Sequence, residues 1–335
     1  MSPKRNRQWL IDGDPSGRAV RLSDFKRVET SIPSLEEGEL SVRVDYLEFS
    51  PSLKGQMENR LHYAAPTSQG SVMRGRGTGT VIESRAQNYP VGCKVKGYLG
   101  WQDVATVKAS EMESVPDDKY LRARLGPLGS SGMTAYFGFL EAGKPQENDT
   151  VLISGAAGAV GSMVGQIAKI RGCKVIGVAG GPEKCRWLVE DAGLDGAVDY
   201  KLEDMETRFK ELMPSGANIV FDNVGGEFLN HALNNIATGA RVVICGAMSR
   251  YETSAHQGPA NYFNLVLQRA TMQGILSPFY KAHFPKAVKD IQGWMESGEF
   301  VYKEDIQNGF ENIPASFLRL FSGKNIGKQL IKLSD

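Results

Sequence analysis

The chain is poor in the residue types that would mark several common classes of protein. It has four cysteines, Cys93, Cys173, Cys185 and Cys245, scattered without paired spacing. That excludes a disulfide framework or a zinc knuckle and reads as reduced, mostly buried thiols. Histidines are equally few, at four. No charge of one sign dominates: 39 Lys and Arg stand against 38 Asp and Glu. A broad basic field for nucleic acid or an anionic membrane is therefore absent. No apolar run approaches the roughly 20 residues of a membrane helix. The basic start, Met1 to Arg7, is not followed by a signal-peptide apolar segment. The expectation is a cytoplasmic protein with no nucleic-acid or membrane partner. Sequence repeats and low-complexity tracts are also lacking.

What the chain does have is length for two domains and one organising stretch, Val151 to Gly161. Val151-Leu152-Ile153 has the β-branched content of a buried strand. Gly155, Ala156, Ala157, Gly158 and Gly161 follow, and then a helical pattern through Ile170 with Val164, Ile167 and Ala168 on one face. Strand, tight small-residue turn and helix make the unit that cradles a dinucleotide pyrophosphate. Small residues let the backbone turn sharply and approach the phosphates, and the helix N-terminus offers free N–H groups to an anion. The spacing is Gly-x-x-Gly-x-x-Gly, so a plain glycine-rich turn stays open as the alternative.

A second strand, Lys174 to Ala179, should end at the adenosine ribose. NAD-specific folds keep a carboxylate there. Here the tip reads Gly180-Gly181-Pro182-Glu183-Lys184, with Lys184 beginning a helix. That suits a cofactor bearing an extra phosphate, NADP(H). Glu183 fits less well and should point elsewhere, and Arg186 reads as surface.

Before this unit, Asp24 to about Val115 is a run of short strands at 39–47, 78–83, 92–98 and 102–107, a β-rich, barrel-like pattern. Ser50 to Pro66 reads as a loop with one helical turn. A helix over Gly132–Leu140 marks the passage between domains. After the glycine turn, strands at 197–200, 218–224 and 240–246 alternate with helices, which means a doubly wound parallel α/β sheet. Phe284–Ser297 is a long amphipathic helix. The tail from Ile306 carries a helix near 315–321, closing at Gly323, and a last strand at 329–331, and should rejoin the first domain.

These blocks resemble the medium-chain dehydrogenase/reductase superfamily. The resemblance sharpens with Gly132-Met133-Thr134-Ala135-Tyr136, the 155–161 turn, Gly165-Gln166-Ile167-Ala168-Lys169, Phe221-Asp222-Asn223-Val224-Gly225-Gly226 and Gly323-Lys324-Asn325-Ile326-Gly327-Lys328. Together they are similar to the zinc-independent branch of prostaglandin reductases, alkenal double-bond reductases and NADPH-dependent curcumin reductases. The resemblance implies a Rossmann domain over 128–305 and a GroES-like substrate domain over 1–127, completed by 306–335. Zinc ligands are not expected: the first domain offers Cys93 and His62, and Arg74-Gly75-Arg76-Gly77 stands where a Gly-His-Glu would.

The same resemblance implies that Ala157, Gly158, Ala159 and Val160 line the pyrophosphate and that Gly180 adjoins the ribose. Lys184 should hold the 2′-phosphate with Tyr200 nearby. Asn223, Cys245-Gly246-Ala247, Leu276-Ser277 and Thr134 should surround the nicotinamide, and Asn325 should reach the cofactor from the tail. Each also has a plain structural reading, such as a strand-end turn for Asn223 or a helix cap for Asn325.

The implied reaction is reduction of a carbon–carbon double bond conjugated to a carbonyl, with hydride to the β-carbon and an enolate oxygen needing a donor. Tyr251, after Gly246-Ala247-Met248-Ser249-Arg250, and Tyr63 are the tyrosine candidates. A third family tyrosine is replaced: the usual Asp-Pro-Tyr-Met-Arg-Gly-Arg-Met reads Ser50-Pro51-Ser52-Leu53-Lys54-Gly55-Gln56-Met57, leaving the shorter Ser52 as donor. A quinone oxidoreductase and an NADPH-binding sensor module remain the competing readings. The partner expected is a small-molecule enone or enal, with a homodimer implied by the resemblance.

Overall fold

The computed structural model describes residues 5–58, 66–251 and 258–333. By contact the chain divides into two compact units, Met1–Leu125 with Glu304–Asp335, and Gly126–Lys303.

In the first unit, β1 (Arg5–Ile11) and β2 (Phe25–Ser31) pair antiparallel. A separate sheet contains β3 (Glu39–Glu48), β4 (Arg76–Ser84), β5 (Lys94–Tyr98), β6 (Val104–Lys108) and β7 (Glu113–Val115). The short helix α1 (Ser52–Met57) follows β3. The returning tail adds β14 (Glu304–Asn308), the helix α9 (Ile313–Phe321) and β15 (Lys328–Lys332). The order is β14-β15-β3-β4-β5-β7, with β6 on β3. β15 pairs antiparallel with β3 through Leu330 and Glu48. Alternation on β3 buries Leu40, Val42 and Val44 against a core where Trp101 meets Phe25 and Phe317 at 5.0 and 5.5 Å between ring centroids. Neither β2 nor β7 alternates in sequence. In β2 Phe25 alone is buried, so its polar face left no period-2 signal.

The second unit opens with α2 (Ser130–Phe137), running into a wider π turn over Gly138–Gly143. Then come β8 (Thr150–Ser154), α3 (Ala159–Ile170), β9 (Lys174–Ala179), α4 (Pro182–Glu190), β10 (Gly196–Asp199), α5 (Met205–Leu212) and β11 (Ala217–Asp222). α6 (Gly226–Asn234), β12 (Ile236–Ile244), α7 (Asn264–Leu267), β13 (Thr271–Gly274) and α8 (Phe284–Ser297) complete it. The sheet order is β10-β9-β8-β11-β12-β13, every pair parallel. Counting from β8, that is 3-2-1-4-5-6, the doubly wound Rossmann order, whose direction reverses between β8 and β11. The interior is aliphatic, with Leu152, Ile176 and Val220 fully buried.

In the second unit two strands differ most from the sequence expectation. β12 begins at Ile236 rather than Ala240, with Ile236 paired to Ala217 across a register shift that precedes the run from Arg241. β13 was not visible in the sequence. It is four residues long, at the sheet edge and mostly exposed, so it carries no apolar run.

Candidate functional site

Strand ends at a topological switch point form a crevice, because neighbouring connections leave in opposite directions. Here that crevice lies outside the C-terminal ends of β8 and β11. The turn after β8 is built as a cradle. Gly155 has φ of +56°, a left-handed conformation that side chains resist. A Cβ on Gly161 would strike the Gly155 carbonyl oxygen and lie 2.8 Å from the Ala156 Cα, so only glycine lets α3 sit this close to the strand. α3 starts after Gly158, which provides no side-chain cap. Its first N–H groups, at Ala159, Val160 and Gly161, therefore have no intrahelical partner and are suited to an anion. Ala156 and Ala157 are buried beneath the turn.

The end of β9 has no carboxylate side chain at Ala179, Gly180 or Gly181. Asp199, buried at the end of β10, accepts from the Gly181 and Lys201 amides at 2.9 and 3.1 Å and so fixes the loop instead of facing a ribose. Tyr200 is half exposed, and its ring edge is 2.8 Å from where a Gly180 Cβ would stand. Lys184 lies in the first turn of α4, half-buried, while Glu183 beside it is exposed. The structure thus brings Gly180, Tyr200 and Lys184 to one end of β9. A dinucleotide with an extra ribose phosphate fits this set: a cradle stripped of side chains, a cation in the helix after the strand tip and no carboxylate side chain on the tip itself.

At the other end of the crevice a buried network shapes the surface. Asp222 has no exposure. Its Oδ1 accepts from the Ser154 hydroxyl at 2.7 Å and from the Val224 and Gly225 amides at 2.8 and 2.9 Å. Burial pushes its carboxyl above the ordinary value despite those donors. Ser154 in turn accepts from the Asn223 amide at 2.8 Å, and the Asn223 side chain donates to the Ser154 carbonyl at 2.8 Å. The Cys245 and Gly246 amides donate to the Asp222 carbonyl at 2.8 and 3.2 Å. So Asn223 and the Cys245-Gly246-Ala247 segment are locked to one another through Asp222. Asp222 and Ser154 were not assigned from the sequence; a polar pair buried between two apolar strands was the available signal. Thr134 on α2 and Ser277, just after Leu276, meet hydroxyl to hydroxyl at 3.1 Å.

The other assigned residues are placed by other local elements. Tyr251 is half-buried and closes the short turn over Met248–Arg250. Ser52 opens α1 in the first unit, its Oγ 2.6 Å from that of Ser50. Asn325, also in the first unit, donates to the Gly327 carbonyl at 3.1 Å. Tyr63 lies outside the described residues. Burial, and then the charge of Asp222, push the Cys245 thiol up to about 12.

Residues 159–293 match the zinc-binding dehydrogenase family, and residues 7–115 match the N-terminal domain of oxidoreductase family. The NADPH-dependent curcumin reductase of Escherichia coli (strain K12) is 34% identical over 99% of this chain and 98% of its own length. Prostaglandin reductase 1 of Bos taurus is 36% identical over 92% and 94%. The crystal structure of CurA from Vibrio vulnificus in complex with NADPH matches with a TM-score of 0.93 and 35% identity, over 98% of this chain and 99% of that one.

The chain belongs to the medium-chain dehydrogenase/reductase family of curcumin, prostaglandin and alkenal reductases.

A zinc ion is implied by the name of the matched dehydrogenase family. The described side chains do not fit one. No three His, Cys, Asp or Glu side chains among them stand close enough to hold a metal ion, and the four cysteines are separate thiols. Arg74 and Arg76 stack on Tyr98 at 4.5 and 4.7 Å from the ring centroid. His62 lies outside the described residues.

Proposed function

We propose that the protein is an NADPH-dependent reductase of the carbon–carbon double bond of α,β-unsaturated ketones and aldehydes. The observation that carries this is end-to-end similarity to a curcumin reductase, and to a structure crystallised with NADPH, in a chain whose own crevice suits NADPH. The second unit is the cofactor-binding domain, and the first, with the tail, is the substrate domain.

When bound, NADPH supplies the hydride that goes to the β-carbon. The chain's residues do the rest. The Ala157–Val160 turn and the α3 N-terminus hold the pyrophosphate. Lys184 pairs with the 2′-phosphate, and Tyr200 and Gly180 flank the adenosine ribose. Asn223, held by Ser154, presents its amide to the nicotinamide end of the cofactor. Cys245, Gly246, Ala247, Leu276, Ser277 and Thr134 line that end, and Asn325 adds a contact from the tail. As hydride arrives, negative charge grows on the substrate carbonyl oxygen, and a preorganised O–H donor stabilises it. Tyr251 is assigned this donor, with Tyr63 and Ser52 as further hydroxyls. Ser50, 2.6 Å from Ser52, supports the shorter side chain as a hydrogen-bonded pair. A proton from solvent then reaches the α-carbon, giving the saturated carbonyl compound.

The test follows NADPH absorbance with an aliphatic enone, a cinnamaldehyde-type enal and a quinone, with NADH as control. Saturated products two mass units heavier, with NADPH preferred, are expected. Absence of saturated product from every enone and enal would overturn the reading, and turnover of the quinone alone would replace it.

A cytoplasmic homodimer completes the proposal. Among the described residues no helix is long and apolar enough to cross a membrane. Among the described residues β13 is an edge strand paired with β12 alone, and Tyr262, Phe263, Val266 and Leu267, shortly before it in the chain, are 59–65% exposed. Sedimentation at twice the chain mass is expected; a monomer at micromolar concentration would contradict it.

A further inference from the structure

The second unit holds another cavity, of about 720 Å³, within the size range of small-molecule sites. It is not the dinucleotide crevice. It is walled by the end of α2, the π turn, the loop before β8, Arg171 at the end of α3, and the segment Ser277–His283 with the start of α8. The crevice lies at the start of α3 and the cavity at its end, and twelve helical residues span about 18 Å.

Its lining combines cations with flat aromatic surface. Lys144 and Arg171 face it, and among the described residues neither has a carboxylate within ion-pair distance. Lys286 also lines it but is matched by Asp290 at 2.6 Å. The lining carboxylate is Glu141, so the balance is positive. Tyr280 stacks on Phe137 with centroids 4.8 Å apart and planes 6° from parallel, giving an aromatic wall. Lys144 has φ of +46°, a left-handed conformation uncommon outside glycine. Its carbonyl accepts from Arg241 and Gln146, both at 3.3 Å, which holds the strained residue at the cavity mouth.

We propose that this cavity is a second small-molecule site, taking an organic anion with a planar aromatic body. The acid group meets Lys144 and Arg171, and the ring lies against Tyr280, which the buried Phe137 backs. The site is also wired to the crevice. α2 carries Phe137 and Tyr136 of the cavity and, one turn earlier, Thr134. The segment that carries Tyr280 begins with Ser277. The Thr134–Ser277 contact therefore joins the two elements that the ligand would clasp. A ligand that orders them alters the nicotinamide end, a consequence that rests on the cofactor assignment above.

The probe is 8-anilino-1-naphthalenesulfonate, an aromatic anion with a planar naphthalene body whose fluorescence rises on binding. It is titrated into protein saturated with NADP⁺, so that the crevice is filled. Cofactor affinity and enone turnover are measured first without probe, and their failure would bear on the proposed function alone. Lys144→Ala/Arg171→Ala is expected to weaken probe binding by about tenfold or more, as two lost charge-assisted contacts should, with cofactor affinity in the absence of probe unchanged. If the double variant does not fold, Arg171→Gln alone is expected to weaken binding about threefold. Equal probe affinity in wild type and variant, or complete displacement by NADP⁺, would overturn the site. Saturating probe is expected to shift the NADPH Kd of the wild type by about fivefold; an unchanged Kd would overturn the coupling.

Discussion

Under the proposed function, cofactor choice turns on Lys184. It stands in the first turn of α4, at a strand tip without a carboxylate. Lys184→Ala is expected to raise the KM for NADPH roughly ten- to a hundredfold, the range for losing a charge-assisted bond, while hardly changing that for NADH. Steady-state kinetics with both cofactors checks this, and equal effects would remove the phosphate assignment. Tyr251→Phe is expected to lower kcat on the order of 10²-fold, as loss of an oxyanion donor does, with cofactor affinity intact. Unchanged turnover would move the donor role to Tyr63 or Ser52. At this scale Lys184 and Asn223 are candidates from sequence because they stand at motif edges. Asp222 and Ser154 are not, because a buried polar pair has no periodicity and acquires meaning only when β8 and β11 lie side by side.

Among elements, the ends of β8 and β11 are bound by one hydroxyl. Ser154 donates to Asp222 and accepts from the Asn223 amide, with 1% exposure. Ser154→Ala leaves both partners short of a bond in a buried site, at a cost of about 1–3 kcal/mol. Urea unfolding should register that loss, along with weaker NADPH binding through a looser Asn223; an unchanged midpoint would contradict the network's role. In the first unit, Asp24 is 3% exposed and bonded by Arg18 at 2.6 and 2.9 Å. Burial pushes its carboxyl up, but bonds from Arg18 and the Arg21 amide outweigh this and hold it below 3.8. A carboxyl lowered on folding contributes stability that is full above its unfolded value and lost as pH falls through the folded one. Arg18→Met should therefore cost about 1–2 kcal/mol at pH 7, with the gap closing as pH falls below the ordinary carboxylate value and through the lowered one. Unfolding midpoints across pH check this, and a constant gap would contradict it. The central elements of the second unit were legible, since β-branched runs, glycine punctuation and helical periodicity agree there. β13 and β2 were not, because edge and outward-facing strands lack an apolar signature.

For the whole molecule, the 3-2-1-4-5-6 sheet order, the small-residue turn after β8 and the family of the chain point to one chemistry. The fold class was readable because alternating strands and helices leave few topologies. The peripheral cavity was not, because Lys144, Arg171 and Tyr280 are far apart in sequence and meet only after folding. Under the proposed function, hydride goes to the β-carbon of an enone rather than to its carbonyl carbon. NADPH deuterated at both C4 positions, turned over with an enone and read by NMR, tests it. One deuterium on the β-carbon of the saturated ketone is the expected result. Deuterium on the carbonyl carbon of an allylic alcohol, or none in the product, would contradict the account.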